Sequence, residues 1–283
     1  KRDDYLKQGT PAAMQSYRAY VKKYPWKTSE LYISTISDMG FDYEILDTRI
    51  MELRKLKSLN KLPFRTGRFY RKNNNPDGDV YWMDEPDGRF EISMTLVESE
   101  TNKKRKTLIW DATKGMIPAW EPVYKTRFTC GVDPFRYKNA RDVSANKQSD
   151  GGIAILWHDL SIKDKTASRH FVLSYRFRPQ SLDEFCEDVL MACEYFSAMC
   201  FPENNMTGVY EYFIKRGRGG YLKYTTDPMT GRPKDTPGYY AGTGTINDGL
   251  AEMKDYIAFN GSIENHLSFL EEARSMRSVE DLT

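Results

Sequence analysis

Histidine and cysteine are scarce in this sequence, and their spacing argues against a structural zinc site. Only three histidines and four cysteines occur among 283 residues, and no cysteines have the short separation that zinc ligands usually show. The four cysteines lie in apolar strand or helix patterns, so we predict buried free thiols, as expected in a reducing cytoplasm. They are Cys130, Cys186, Cys193 and Cys200. The sequence also shows no arrangement of serine, histidine and aspartate, which argues against hydrolysis by an activated serine.

Long apolar runs and a glycine-rich ATP-binding loop are also missing. No apolar run approaches the roughly 20 residues of a membrane span, and no signal-peptide core opens the chain. The pattern Gly-x-x-x-x-Gly-Lys-Ser/Thr does not occur, so we expect no ATP site of that kind. The net charge of +2 is too small to indicate a nucleic-acid partner by itself. The chain begins with Lys1-Arg2-Asp3-Asp4 and no methionine, so we expect a fragment or a processed product.

The remaining composition is that of a globular protein, with 40% hydrophobic and 29% charged residues. We predict an α+β fold in which a helical and β-rich N-terminal region precedes a mixed sheet flanked by helices. Residues 11 to about 60 have helical patterns, and residues 65–127 have strand patterns. Asp77-Gly78 and Asp87-Gly88 are typical hairpin turns. We place the basic run 103–106 in a turn, where a solvated loop is a commoner role than a DNA contact.

Residues 127–205 have the clearest pattern. Three strands follow one another without an intervening helix, which favours an antiparallel meander. Their predicted ranges are 128–133, 152–157 and 169–177. Ser181 and Glu184 have capping-box spacing and predict the start of a helix, which leads to a fourth strand at 198–202. Further elements are a helix at about 206–215, a strand at 220–224, helices at about 246–259 and 262–275, and a helix beginning near residue 279.

Two acidic residues follow strands in this order. Asp133 ends the first strand before Pro134, and Glu203 ends the fourth after Pro202. Each one alone is more often a turn or helix-cap residue. Three meander strands, a crossover helix and a parallel fourth strand are, however, the plan of an RNase H-like nuclease, in which the first and fourth strands are neighbours. Two converging carboxylates, with a third from a late helix, suit two Mg²⁺ or Mn²⁺ ions about 4 Å apart.

The chain resembles the C-terminal nuclease region of the large terminase subunit of tailed double-stranded DNA bacteriophages. The resemblance covers about residues 128–283 and rests on Gly131-Val132-Asp133-Pro134 and Phe201-Pro202-Glu203-Asn204-Asn205. Thr243-Gly244-Thr245-Ile246 and the stretch 267–272 occupy family-like positions. Upstream, Lys23-Tyr24-Pro25 resembles the segment that joins the packaging ATPase to the nuclease. The resemblance implies a linker at residues 1–64 to an absent ATPase, a β-rich segment at 65–127 and a nuclease domain at 128–283.

The resemblance also implies an activity and partners. Members of the family cut concatemeric viral DNA during genome packaging, in the cytoplasm of the bacterial host and without a membrane. It implies two Mg²⁺ or Mn²⁺ ions as cofactors, and duplex DNA, the portal protein and the small terminase subunit as partners. Asp133 and Glu203 match the first two metal-binding acids. The third acid is Asp281, its neighbour Glu280 or a residue beyond Thr283.

Residues outside the acidic pair leave several alternatives open. Lys215, Arg216 and Arg218 lie in a glycine-rich turn and are candidate phosphate contacts, because guanidinium groups bind phosphates through two hydrogen bonds. A solvated basic turn explains them equally well. Asp150 is either a supporting ligand or a solvated hairpin residue. The alternative functions are another RNase H-like enzyme, such as a junction resolvase or integrase, and a non-catalytic DNA-binding or docking module of a packaging motor.

Overall fold

The computed structural model describes residues 2–8, 16–17, 20–21, 23–26, 40–111, 114–135, 150–161, 163, 168–205, 207–227 and 229–276. The chain divides into two compact units. The helical unit comprises Lys1–Asn60 and Ile246–Thr283, and the sheet unit comprises Lys61–Thr245. This division describes compactness, and the functional division after residues 64 and 127 stays a prediction.

The helical unit contains α1 (Arg2–Gln8), α2 (Tyr43–Ser58), most of α5 (Thr243–Asn260) and α6 (Leu267–Ser275). Asp42 caps α2 by accepting hydrogen bonds from the next turn. Leu46, Ile50 and Leu53 form the buried stripe of α2, at the spacing of one helix face. The two helices predicted near the C-terminus are present as α5 and α6. No helix of the described ranges is both long and apolar enough to cross a membrane.

The sheet unit makes the protein an α+β chain with a mixed seven-stranded sheet flanked by helices. The strands are β1 (Arg65–Arg71), β2 (Val80–Asp84), β3 (Phe90–Ile92), β4 (Lys104–Asp111), β5 (Gly115–Pro122), β6 (Phe128–Asp133), β7 (Gly151–His158), β8 (Arg169–Phe177) and β9 (Met199–Pro202). The order in the main sheet is β2-β1-β3-β8-β7-β6-β9, and among the described strands β4 pairs only with β5. All neighbours are antiparallel except β6 and β9, which are parallel. The strands before residue 93 thus extend the same sheet, because β3 pairs with β8.

One face of this sheet is buried by α3 (Leu182–Phe196), which precedes β9. The Ser181 hydroxyl accepts a hydrogen bond from the backbone N–H of Glu184 at 3.1 Å, which confirms the predicted helix start. Apolar side chains at helical spacing then face the buried side of β6. They include Phe185, Val189, Leu190, Cys193 and Phe196 from the helix and Phe128, Cys130 and Val132 from the strand. Each large side chain contributes about 1.5–3 kcal/mol when fully buried. All four cysteines are buried and free, as predicted.

Three local predictions were wrong. Asp87-Gly88 does not form a hairpin turn, because β2 and β3 pair with opposite edges of β1 and not with each other. The basic run 103–106 does not form a turn, because β4 begins at Lys104. Lys104, Arg105 and Lys106 therefore point alternately to the two faces of β4. The ammonium groups of Lys104 and Lys106 lie 5.9 and 5.8 Å from the Trp120 ring across the hairpin. The predicted strand at 220–224 begins instead as a 3-10 turn, Gly219–Tyr221, followed by isolated bridges. The helix predicted near residue 279 lies outside the described residues.

Candidate active site

The two predicted acids lie at neighbouring strand ends. In the parallel pair of β6 and β9, Val132 is in register with Pro202, and the backbone N–H of Glu203 donates to the Val132 carbonyl at 2.9 Å. Asp133 and Glu203 each follow one of these partners. Neighbouring strands are about 4.8 Å apart, and residues in register point to the same face. The structure therefore brings both carboxylates to one edge and one face of the sheet, opposite the face that α3 covers.

Small residues surround Asp133 on this open face. Asp133 is paired with Gly152 of β7, and a Cβ atom at Gly152 would lie 3.7 Å from the Cβ of Asp133. Gly131 and Ala154 are paired one step further along the same face. Gly131 and Asp133 are exposed, and Glu203 is half-buried. The positions of β6 and β7 beside Asp133 on this face therefore carry no large side chain.

Tyr239 joins the two carboxylates from a segment that has no regular secondary structure. Its backbone N–H donates to the Pro202 carbonyl at 3.0 Å, and its carbonyl accepts from Asn204 at 2.8 Å. Its ring lies 5.3 Å from the ring of Phe201. Burial, and then the negative charges of Asp133 and Glu203, raise the pKa of Tyr239 to about 12. The phenol is therefore protonated at neutral pH and can donate a hydrogen bond beside the acidic pair.

Lys223 brings a positive charge to the same face. It is exposed, its ammonium group lies 5.4 Å from the Phe201 ring, and its backbone N–H donates to the Cys200 carbonyl at 2.8 Å. The sequence pattern did not single out Lys223 or Tyr239. The only signal for Tyr239 was its place between Gly238 and Tyr240 in a loop read as polar. Neither residue lies in a regular strand: Lys223 follows Leu222, which bridges to Cys200 of β9, and Tyr239 bridges to Glu203.

Gly238 should be essential for this placement of Tyr239. Gly238 has φ +84°, and a Cβ atom there would lie 1.9 Å from the Pro202 carbonyl oxygen. Gly238→Ala is expected to lower the free energy of unfolding by roughly 3 kcal/mol, from backbone strain and the displaced segment. Gly231→Ala is the matched control, because Gly231 has φ +67° and no atom of the described residues lies within 4 Å of the added Cβ. Strain alone should cost the control about 1 kcal/mol in urea denaturation; equal losses would mean that the contact with Pro202 is unimportant.

The remaining acidic candidates are not drawn into a three-ligand cluster. Asp150 precedes β7 and forms an exposed ion pair with Arg176 at 3.3 Å. Asp281 and Glu280, the predicted third ligands, lie outside the described residues. Within the ranges that the structure describes, no group of three or more histidine, cysteine, aspartate or glutamate side chains is placed to hold a metal ion. The described part of the site is thus a pair of carboxylates with Tyr239 and Lys223 nearby.

The predicted DNA-contact residues have different surroundings. Arg218 is buried and binds Glu194 at 2.6 Å and Asp77 at 3.2 Å. Arg216 follows α4 (Gly208–Lys215) and binds Glu187 at 2.5 Å. Lys215, in the last turn of α4, is exposed. The two arginines are therefore held in ion pairs within the sheet unit, Arg216 with part of its side chain exposed, and Lys215 is the most exposed of the three. Their role in DNA binding stays a prediction.

Comparisons with protein-family models, curated proteins and solved structures found no match for this chain.

Proposed function

We propose that this chain is a metal-dependent endonuclease that cleaves viral double-stranded DNA during genome packaging, as the nuclease part of a large terminase subunit. The observation that carries the proposal is the placement of Asp133 and Glu203 at adjacent ends of the parallel strands β6 and β9. Acidic residues that converge at a strand end are suited to hold divalent cations close to a phosphodiester.

The strand order supports an RNase H-like fold. Across the sheet, β8, β7, β6 and β9 lie in the order third, second, first and fourth of the meander and crossover. Only the fourth is parallel to the first, and α3 makes the crossover between β8 and β9. Both acids then lie at the carboxyl ends of β6 and of its parallel neighbour β9, the outermost strand of the sheet. The extra strands β1 to β3 extend the sheet at the edge away from the acids.

The donor set fits magnesium or manganese. Asp133 and Glu203 offer hard oxygen ligands on an accessible face, where a metal can keep several waters. Bound metal ions would supply a nucleophilic water and stabilise the leaving 3′ oxygen. By the family resemblance, the proposed third ligand is Asp281, its neighbour Glu280 or a residue beyond Thr283.

The other residues of the site would orient the substrate. Lys223 offers a positive charge to a phosphate group, and the small residues of β6 and β7 leave room for the DNA backbone. The Tyr239 hydroxyl keeps its proton at neutral pH and can donate to a carboxylate or a phosphate oxygen. Duplex DNA, the portal protein and the small terminase subunit are the partners proposed with this function.

The test is the conversion of supercoiled plasmid to nicked and linear forms with Mn²⁺, Mg²⁺ or EDTA. We expect cutting with the metals, none with EDTA, and loss of cutting in Asp133→Ala. Strong preference for branched over linear duplex would favour a junction resolvase or integrase instead. Binding of DNA without cutting under every metal condition would contradict the nuclease proposal and favour a docking module.

A further inference from the structure

The hairpin of β4 and β5 carries a row of exposed apolar side chains on one face. Cross-strand pairs place Leu108 opposite Pro118 and Trp110 opposite Met116. The exposed fractions are 59% for Leu108, 71% for Trp110 and 57% for Met116, and Pro118 is also exposed. Four adjacent apolar residues at such exposure are typical of a binding surface rather than of a solvated ribbon.

The opposite face of the hairpin is already occupied. A Cβ atom at Gly219 would lie 2.2 Å from Ile109, and one at Gly220 would lie 2.7 Å from the Trp120 carbonyl oxygen. The backbone N–H of Trp120 also donates to the Gly217 carbonyl at 2.8 Å. The glycine-rich turn therefore packs closely against this face of the hairpin. This anchoring orients the apolar row outwards.

The charge around the row is strongly positive. Residues 103–125 contain six lysine or arginine residues and two carboxylates, a net charge of +4 (six minus two), whereas the whole chain has +2. Glu121 is buried and already binds Arg105 at 2.7 Å and Lys125 at 2.6 Å. Lys103, Lys106 and Lys114 are exposed. Lys106 lies on the same face of the hairpin as the apolar row, because it precedes Leu108 by two residues in β4.

We propose that this hairpin is a DNA-binding arm that lies in a groove of the duplex, with the apolar row against the base and sugar edges and the lysines against the phosphates. A two-stranded ribbon fits a DNA groove, and leucine, methionine and proline are side chains that wedge against base steps. The eight-residue strand β4 extends over about 26 Å. The apolar row alone would suit a protein partner equally well, but the adjacent lysines favour a polyanion.

This inference rests on the proposed function, because it takes that function's substrate as the ligand, but binding needs no cleavage. The test is fluorescence anisotropy of a labelled duplex with the full chain in EDTA. Lys106→Glu and Trp110→Gln are each expected to weaken binding roughly five- to tenfold, and Lys106→Glu should lower the salt dependence by about one counterion. The matched controls, Lys57→Glu and Met51→Gln, change exposed residues of α2 and should bind as the wild type does.

Several results would overturn the proposal that the hairpin is a DNA-binding arm. One is a wild-type chain that does not bind the duplex; another is hairpin variants whose affinity equals that of the wild type. If the hairpin variants lost affinity only for a single-stranded probe, the apolar row would be assigned to contacts with unpaired bases instead. A Trp110→Gln chain with unchanged DNA affinity but altered molecular mass in light scattering would assign it to contacts between copies. Plasmid cutting is measured in parallel. DNA binding that depends on the hairpin, without cutting, would support the arm and refute the nuclease. Cutting by a chain whose DNA binding does not depend on the hairpin would support the nuclease and refute the arm.

Discussion

Glu203→Gln is expected to lower metal-dependent DNA cleavage by a factor of about 100 to 1,000 without lowering stability. The amide keeps the size of the side chain but removes a negatively charged ligand. Several kcal/mol of transition-state stabilisation depend on a correctly bound metal, and each 1.4 kcal/mol is about tenfold in rate. Asp133 lies on the adjacent strand end, and two unit charges about 5 Å apart in water repel by about 0.8 kcal/mol. The free energy of unfolding should therefore stay constant or rise by up to about 1 kcal/mol.

This combination separates a functional role from a structural one. A turn or cap residue would lose stability on substitution, with activity falling only through unfolding. Glu211→Gln is a suitable control, because Glu211 is an exposed residue of the nearby helix α4 and its substitution removes the same charge. Both variants are compared by initial nicking rates in Mn²⁺ and by urea denaturation in EDTA. Loss of stability in Glu203→Gln with normal specific activity of the folded fraction would contradict a role as metal ligand.

The sequence predicts those parts of the site that depend on neighbours along the chain. Alternating apolar residues placed Asp133 at the end of β6, and the spacing of Ser181 and Glu184 placed the start of α3. The neighbouring positions of β6 and β9 were expected from the RNase H-like plan that the order of the elements resembles, and the parallel pairing confirms them. The roles of Asp133 and Glu203 as metal ligands stay predictions.

Contacts between distant segments could not be predicted in this way. The basic turn around Arg218 was interpreted through its own residues as a solvated or DNA-binding segment. In the structure the guanidinium of Arg218 binds Glu194, 24 residues earlier, and the glycines of the turn pack against the hairpin of β4 and β5. Tyr239 likewise reaches the acidic pair because it bridges to Glu203. Periodicity carries no information about such pairings, because the partners are set by three-dimensional packing.

The same packing creates a buried ion network centred on Glu194, in the last turn of α3. One carboxylate oxygen binds Arg71 of β1 at 2.7 Å, and the other binds Arg218 at 2.6 Å and lies 3.4 Å from Lys104 of β4. Glu194 is fully buried, and the two arginine side chains are only 5% and 4% exposed. A negative charge at a helix C-terminus is unfavourable by itself. Burial raises the pKa of Glu194, but the charges of the three cations outweigh it and hold that pKa below its usual value.

Glu194→Gln is therefore expected to destabilise the protein by about 3 kcal/mol near neutral pH. Removing one partner of a buried pair usually costs about 3–5 kcal/mol, because the other charge is left uncompensated. We expect the lower end of that range, since Arg71 also binds Glu187 and Arg218 also binds Asp77. Glu271→Gln breaks the exposed pair with Arg54 and should cost at most about 1 kcal/mol as the control.

The pH dependence of the stability lost in Glu194→Gln distinguishes an effect of charge from an effect of packing. Because the folded-state pKa of Glu194 is lowered, its ionised form stabilises the protein above the unfolded-state pKa, and this stability is lost as the pH falls through the folded-state value. The difference between wild type and Glu194→Gln in urea denaturation should therefore be largest near neutral pH and shrink in acid. A constant difference at all pH values would show that the cost comes from changed packing rather than from charge. The network joins β1, β4, α3 and the glycine-rich turn, so its loss should also loosen the base of the hairpin.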